Sequence, residues 1–155
     1  MKTLTAVSLA CLLGCSAGAH AAPADQPAAL SDSVSEHNKA VAIAFWNALN
    51  TQGWDAASQY LSSSYHEHSG SSPSGLAEWK AYYGDLKTRQ PRHYSAIMRA
   101  FAEGDLVFLH VHDFPAPGQF GAAMMVYFRF EDGKIAEQWT AKQDVPGIRN
   151  FNGMF

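Results

Sequence analysis

The sequence predicts an α+β fold, in which a curved antiparallel sheet wraps into a cone on three N-terminal helices, and three observations carry that prediction. Apolar residues recur at helical intervals before Pro91. After it they recur in runs and alternations suited to strands. Asp132-Gly133 then divides the last apolar stretch as a hairpin turn divides its strands. The chain has 155 residues, 47% of them hydrophobic and 12% aromatic, enough for one compact domain with a real core. A formal net charge of -3 gives no basic stripe for nucleic acid, so a small hydrophobic molecule or another protein chain is the expected partner.

Residues 1–21 read as a signal peptide. Lys2 supplies the positive start, LTAVSLACLL the short apolar stretch, and Ala19-His20-Ala21 a small-x-small cleavage site, so a periplasmic or secreted location is expected. Leu12-Leu13-Gly14-Cys15 competes as a lipoprotein box, and a membrane is expected only if Cys15 is lipidated. Cys11 and Cys15 are the only cysteines, which leaves the folded part without a disulfide or a thiol nucleophile. Residues 22–34, rich in Pro and Ala, suit a linker, and residues 35–146 the domain, followed by a tail over 147–155.

Ser33-x-x-Glu36 has capping-box spacing, and Val41, Phe45, Ala48 and Leu49 then predict a helix over 35–50. Residues 55–61 predict a short second helix, stopped by Ser62-Ser63-Ser64. A brief strand follows at 65–68, then a Ser/Gly/Pro loop at 69–75. Leu76, Trp79, Tyr83 and Leu86 predict a third helix over 75–88. Residues 92–102, 105–114, 120–130 and 134–143 predict four strands; the third, apolar at almost every position, should be central and covered on both faces. Trp46, Trp79, Tyr82, Tyr83, Met124 and Met125 are assigned to the core or to a pocket wall.

On these residues the chain resembles a known family. AFWNALN in the first helix, Tyr65-x-x-His68, EGDLVFLHVH, and FRFEDGKIAEQW followed by Val145-Pro146 together resemble the SnoaL-like polyketide cyclases over residues 36–146. The resemblance implies the cystatin-like cone of nuclear transport factor two, a hydrophobic pocket between sheet and helices, a homodimer through the outer sheet face, and chemistry without a cofactor. It also implies polar groups at three positions, an Asp ahead of the Phe-Arg pair and a His and an Asp flanking the strand-five Trp. Here those positions hold Val126, Gln138 and Thr140. At matching positions it carries over Tyr65, His68, His110, His112, Trp139 and Gln143.

The candidate catalytic residues are accordingly His68 and Tyr65, as acid/base or oxyanion donor, with His110, His112, Gln138, Trp139, Gln143 and Met124 binding the ligand. His110 and His112 share one face of their strand, opposite Leu109 and Val111, and line either the pocket or the outer face. Glu137 shares strand parity with Ile135 and Trp139; facing inward it would be a general base of raised pKa, and at the rim a solvated side chain. His66-x-His68 and His110-x-His112-Asp113 could hold a metal only if their strands adjoin, and no metal is assigned. Two functions stay open. One is an enzyme acting without cofactor on a small apolar carbonyl compound, as an isomerase, cyclase or hydrolase; the other is a non-catalytic binder of a small hydrophobic ligand.

Overall fold

A computed structural model describes residues 26–68, 70, 74–146 and 154–155. The signal peptide, both cysteines, the start of the linker and most of the C-terminal tail lie outside the described residues. Helices α1 (Gln26–Thr51), α2 (Trp54–Ser58) and α3 (Leu76–Arg89) accompany strands β1 (Leu61–Glu67), β2 (Tyr94–Glu103), β3 (Leu106–Phe114), β4 (Ala122–Glu131) and β5 (Lys134–Asp144). The sheet runs β1-β5-β4-β3-β2, so β4 is central. Strands β2 to β5 are antiparallel neighbours, and β1 adds parallel to β5 at one edge.

The first helix begins earlier than the composition suggests. Residues 26–34 are helical rather than a linker, and Ser33 lies within the helix instead of capping it. Residues 31–34 are exposed, Val34 among them, and Ser35 and Asn38 are buried. The Gly104 N–H donates to Ser35 Oγ over 2.8 Å, and Asn38 Nδ2 donates to the Gly104 carbonyl over 3.1 Å, so the β2–β3 turn is fastened to α1. Farther along, Ala42, Phe45, Trp46 and Leu49 form one stripe against Leu109, Val111, Val126 and Phe128. Phe45 meets Phe128 edge to face at 5.8 Å. The Ser62–Ser64 run, read as a helix stop, is part of β1.

The Asp132-Gly133 turn has φ values of 51° and 72°, the left-handed pair that a two-residue hairpin needs. Gly121 is the other demanding glycine. It has φ 69°, and a Cβ there would stand 1.9 Å from the Asp113 carbonyl oxygen. Gly121→Ala is expected to push the end of β3 aside and cost about 2 kcal/mol or more, combining a positive-φ penalty with a steric clash; chemical denaturation reads the loss, and an unchanged midpoint would contradict it.

Strand β4 is covered on its inner face only. Val126 and Phe128 are fully buried, whereas Met125 and Tyr127 on the outer face are 41% and 40% exposed. Strand β5 departs further from simple alternation. Phe130 pairs with Ile135 and Arg129 with Glu137, which leaves Ala136 as an extra residue in a bulge. Ile135 therefore faces the core, yet Glu137 and Trp139 face outward, with Gln138, Thr140 and Lys142 inward.

Candidate active site

The sheet's inner face and the helices enclose a cavity of about 490 Å³. Its helical wall is apolar and aromatic, from Trp46, Leu49, Trp79, Tyr82, Tyr83 and Leu86. Its sheet floor is polar, from His93, Ser95, Asp113, Gln138, Thr140 and Lys142, with Met124 among them. The cavity is thus two-sided rather than uniformly hydrophobic.

His93 and Asp113 form the centre of the floor. After α3 the chain turns at Gln90-Pro91-Arg92-His93, closed by the His93 N–H donating to the Gln90 carbonyl over 2.9 Å, with Pro91 fixing φ at the second position. That turn delivers His93 just ahead of β2. Asp113 sits near the end of β3, opposite Ser95, on the same inward parity as Leu109 and Val111. The His93 Nε2 to Asp113 Oδ1 distance is 2.7 Å, and Lys142 Nζ donates to Asp113 Oδ2 over 3.1 Å. Burial pushes the Asp113 carboxyl upward, but the hydrogen bonds and charges of His93 and Lys142 outweigh it and hold the group below its ordinary value. As a carboxylate it can only accept, so His93 Nε2 carries the proton between them. In the neutral imidazole, Nδ1 then holds the lone pair.

Tyr65 and Gln138 form a second inward group. Tyr65 Oη is 3.1 Å from Gln138 Oε1 and 3.3 Å from Glu67 Oε2, and its one proton is shared between them. Burial first, then the charge and hydrogen bond of Glu67, drive the Tyr65 hydroxyl far above the ordinary phenol range, so it stays a donor. With Oε1 taken, the Gln138 amide turns Nε2 toward Thr140, donating to its Oγ1 over 3.2 Å. Tyr65 thus stands behind Gln138, orienting it, and is not itself on the cavity wall. Tyr83 donates to the Leu49 carbonyl over 3.1 Å and is pushed up to about 12 by burial and then by the Asp113 charge.

Of the residues expected to form the site, Gln138 and Met124 line the cavity. His68, His110, His112, Trp139 and Gln143 do not. His68 stacks flat on Trp139 at 4.4 Å on the outer face, and its Nε2 is 2.6 Å from Glu137 Oε2. The bulge at Ala136 is the cause, since it turns Glu137 and Trp139 away from the side that Ile135 occupies. Glu137, also held by Arg129, is depressed by those two hydrogen bonds, Arg129's first, and cannot be the buried base. His110 and His112 lie under the Phe155 ring, stacked at 5.4 Å and 3.9 Å on the outer side. His112 Nε2 donates to the Phe120 carbonyl over 2.7 Å. Burial leads in lowering the His110 pKa, followed by the Arg99 charge and His112. The paired histidines of β1 and β3 are separated by β5 and β4 and do not meet.

The His93–Asp113 pair escaped the sequence reading, although one signal was present. If Leu109 and Val111 face the core, Asp113 must as well, and a carboxylate at an inward position needs a partner. His93 fell inside the strand expected over 92–102, but β2 begins at Tyr94, so strand parity says nothing of where the His93 side chain goes.

A family model described as a SnoaL-like domain matches residues 42–138. The chain belongs to the SnoaL-like family. Similar solved structures include a "putative ketosteroid isomerase" from Kribbella flavida, at 16% identity and TM-score 0.63, covering 79% of this chain and 90% of the other. A "putative polyketide cyclase" from Bacillus cereus aligns at 17% identity and TM-score 0.60, over 69% and 74% of the two chains. A SnoaL-like protein of unknown function from Burkholderia thailandensis aligns at 14% identity and TM-score 0.61, over 70% and 95%. No protein of curated function matches the sequence. At these identities the solved structures establish the shared SnoaL-like fold and leave the chemistry to the site.

Proposed function

We propose that this SnoaL-like protein is an exported enzyme that moves a proton on a small apolar carbonyl compound, without a cofactor, in an isomerisation or cyclisation. The observation that carries the reading is the buried His93–Asp113 pair on the floor of an aromatic cavity. His93 Nδ1 takes a proton from the carbon next to the carbonyl, and the C–H electron pair becomes the enolate. Asp113 steadies the imidazolium that forms. The Gln138 amide N–H, set by Tyr65, and Lys142 stand on the same floor as donors to the oxygen that gains charge. The proton then returns to another carbon, or the enolate carbon attacks a second carbonyl. These groups supply the imidazole and carboxylate that Gln138, Thr140 and Val126 do not. Export rests on the signal-peptide pattern of residues 1–21, with Cys15 lipidation as its alternative route.

The test uses 2-tetralone, a bicyclic ketone with exchangeable α-hydrogens. In D2O the purified protein should speed deuterium uptake well above the buffer rate, read by mass spectrometry. Binding of the ketone without exchange would favour the non-catalytic reading, and neither binding nor exchange would defeat both.

The outer sheet face also suits a homodimer. Phe101, Met125 and Tyr127 leave large apolar surface exposed there. Met125→Lys is expected to shift the protein from dimer to monomer in sedimentation velocity; a wild-type monomer at all concentrations would contradict the assembly.

A further inference from the structure

The outer face of the sheet is unevenly covered. Phe101 is 59% exposed, Met125 41% and Tyr127 40%, yet His110 and Ala123 on the same face are only 7% exposed. Phe155 lies over this covered spot, its ring parallel to His112 at 3.9 Å and to His110 at 5.4 Å, with interplanar angles of 13° and 15°. The strands shape a seat for it. The cross-strand neighbours of His112 are Ala96 on β2 and Ala123 on β4, short side chains that leave room for a ring to lie flat between them. Phe114 continues the aromatic line, 3.7 Å from His112.

The fit is incomplete at one atom. Arg99 Nη1 lies 3.4 Å from His110 Nδ1, and because a guanidinium can only donate, Nδ1 accepts and the proton of the neutral imidazole sits on Nε2. That Nε2 is buried without a hydrogen-bond partner. Its N–H points along the imidazole plane, whereas the phenyl ring is stacked above that plane and offers it no acceptor. A buried, unpaired donor weakens the covered state relative to one in which water or another acceptor reaches His110, so the ring is displaceable.

We propose that Phe155 is a self-docked plug: seated on His110 and His112, it occupies the patch through which a second copy of this chain packs, so that its docking and self-association exclude one another. Met125, the cross-strand neighbour of His110, lies directly beside the seat, and Phe101 and Tyr127 flank Phe108 in the next row of the same face. A two-fold interface buries the same patch on both copies, so both rings must leave before it forms. The inference rests on the outer-face assembly proposed above and adds its regulation.

Sedimentation velocity of full-length wild type and Phe155→Ala over a concentration series tests it. The dimer dissociation constant should be at least about tenfold lower in the variant, because an association that needs an open form is weakened by the fraction open, here in both copies. Adding Met125→Lys to Phe155→Ala should return the monomer. Proton NMR of the same proteins reads the seat itself: the ring signals of His110 and His112, assigned with His110→Gln and His112→Gln, should move downfield in Phe155→Ala as the shielding of the stacked phenyl is lost. A wild type that dimerises with a dissociation constant unchanged or raised in Phe155→Ala would overturn the inference and leave the assembly standing. Unmoved histidine signals would overturn the seat. Both proteins monomeric at every concentration would defeat the assembly, and the inference with it.

Discussion

Phe128→Ala is expected to lower the unfolding free energy by about 3–5 kcal/mol, the cost of removing a large aromatic side chain and leaving a void. Phe128 is fully buried on the central strand, beneath the first helix, and its ring meets Phe45 edge to face and Trp46 at 6.4 Å. Few neighbours can collapse into the space, because those contacts are themselves rings on a helix anchored at Ser35 and Asn38. Urea unfolding followed by tryptophan fluorescence measures the change. A loss below about 1 kcal/mol would mean that α1 does not pack on β4 as described.

Asp113→Asn should alter both stability and turnover. The native carboxyl lies below its ordinary value of 3.8, so it contributes stability that is present above that value and is lost as pH falls through the lower native one. Below about pH 4 the wild type should therefore weaken with a component that the amide, which does not titrate, lacks. At neutral pH the variant should be less stable by about 3 kcal/mol, since it loses the buried charge that pairs with His93 and Lys142. Exchange of 2-tetralone should fall as well, by about a hundredfold, because the imidazolium formed at His93 would have no carboxylate beside it. Parallel acid-side stability curves for variant and wild type would show that the pair is not formed in solution.

Both predictions depend on which side of the sheet a residue faces, and that was legible in some strands and hidden in others. The unbroken apolar run of β4 marked it as central, and the Asp132-Gly133 turn marked its hairpin with β5. On β3, parity put His110 and His112 on the face opposite Leu109 and Val111 but did not say which face is inward, and His110, buried like its neighbours, gives no alternation of burial to decide it. On β5 the same rule failed at one residue. Ala136 is accommodated in a bulge, and every position after it changes sides relative to Ile135. A sequence does not announce such a bulge when the inserted residue is as small and apolar as alanine. The spacing from Tyr65 that assigns His68 to the site carries no information on the face it takes, and the structure stacks it on Trp139 on the outer side. The linker-like composition of residues 22–34 misled in another way, since Ala-rich sequence has high helix propensity, and α1 extends back to Gln26.

The central claim is that the working groups lie in the cavity at His93 and not on the outer face at His68. Deuterium exchange of 2-tetralone, measured side by side in His93→Gln and His68→Ala after both are shown to be folded by circular dichroism, tests it most directly. The account predicts at least about a hundredfold loss of enzyme-catalysed exchange in His93→Gln, with the His68→Ala rate within about twofold of wild type. A large loss in His68→Ala with His93→Gln unaffected would contradict it, and would move the chemistry to the stacked His68, Trp139 and Glu137 on the opposite side of the sheet.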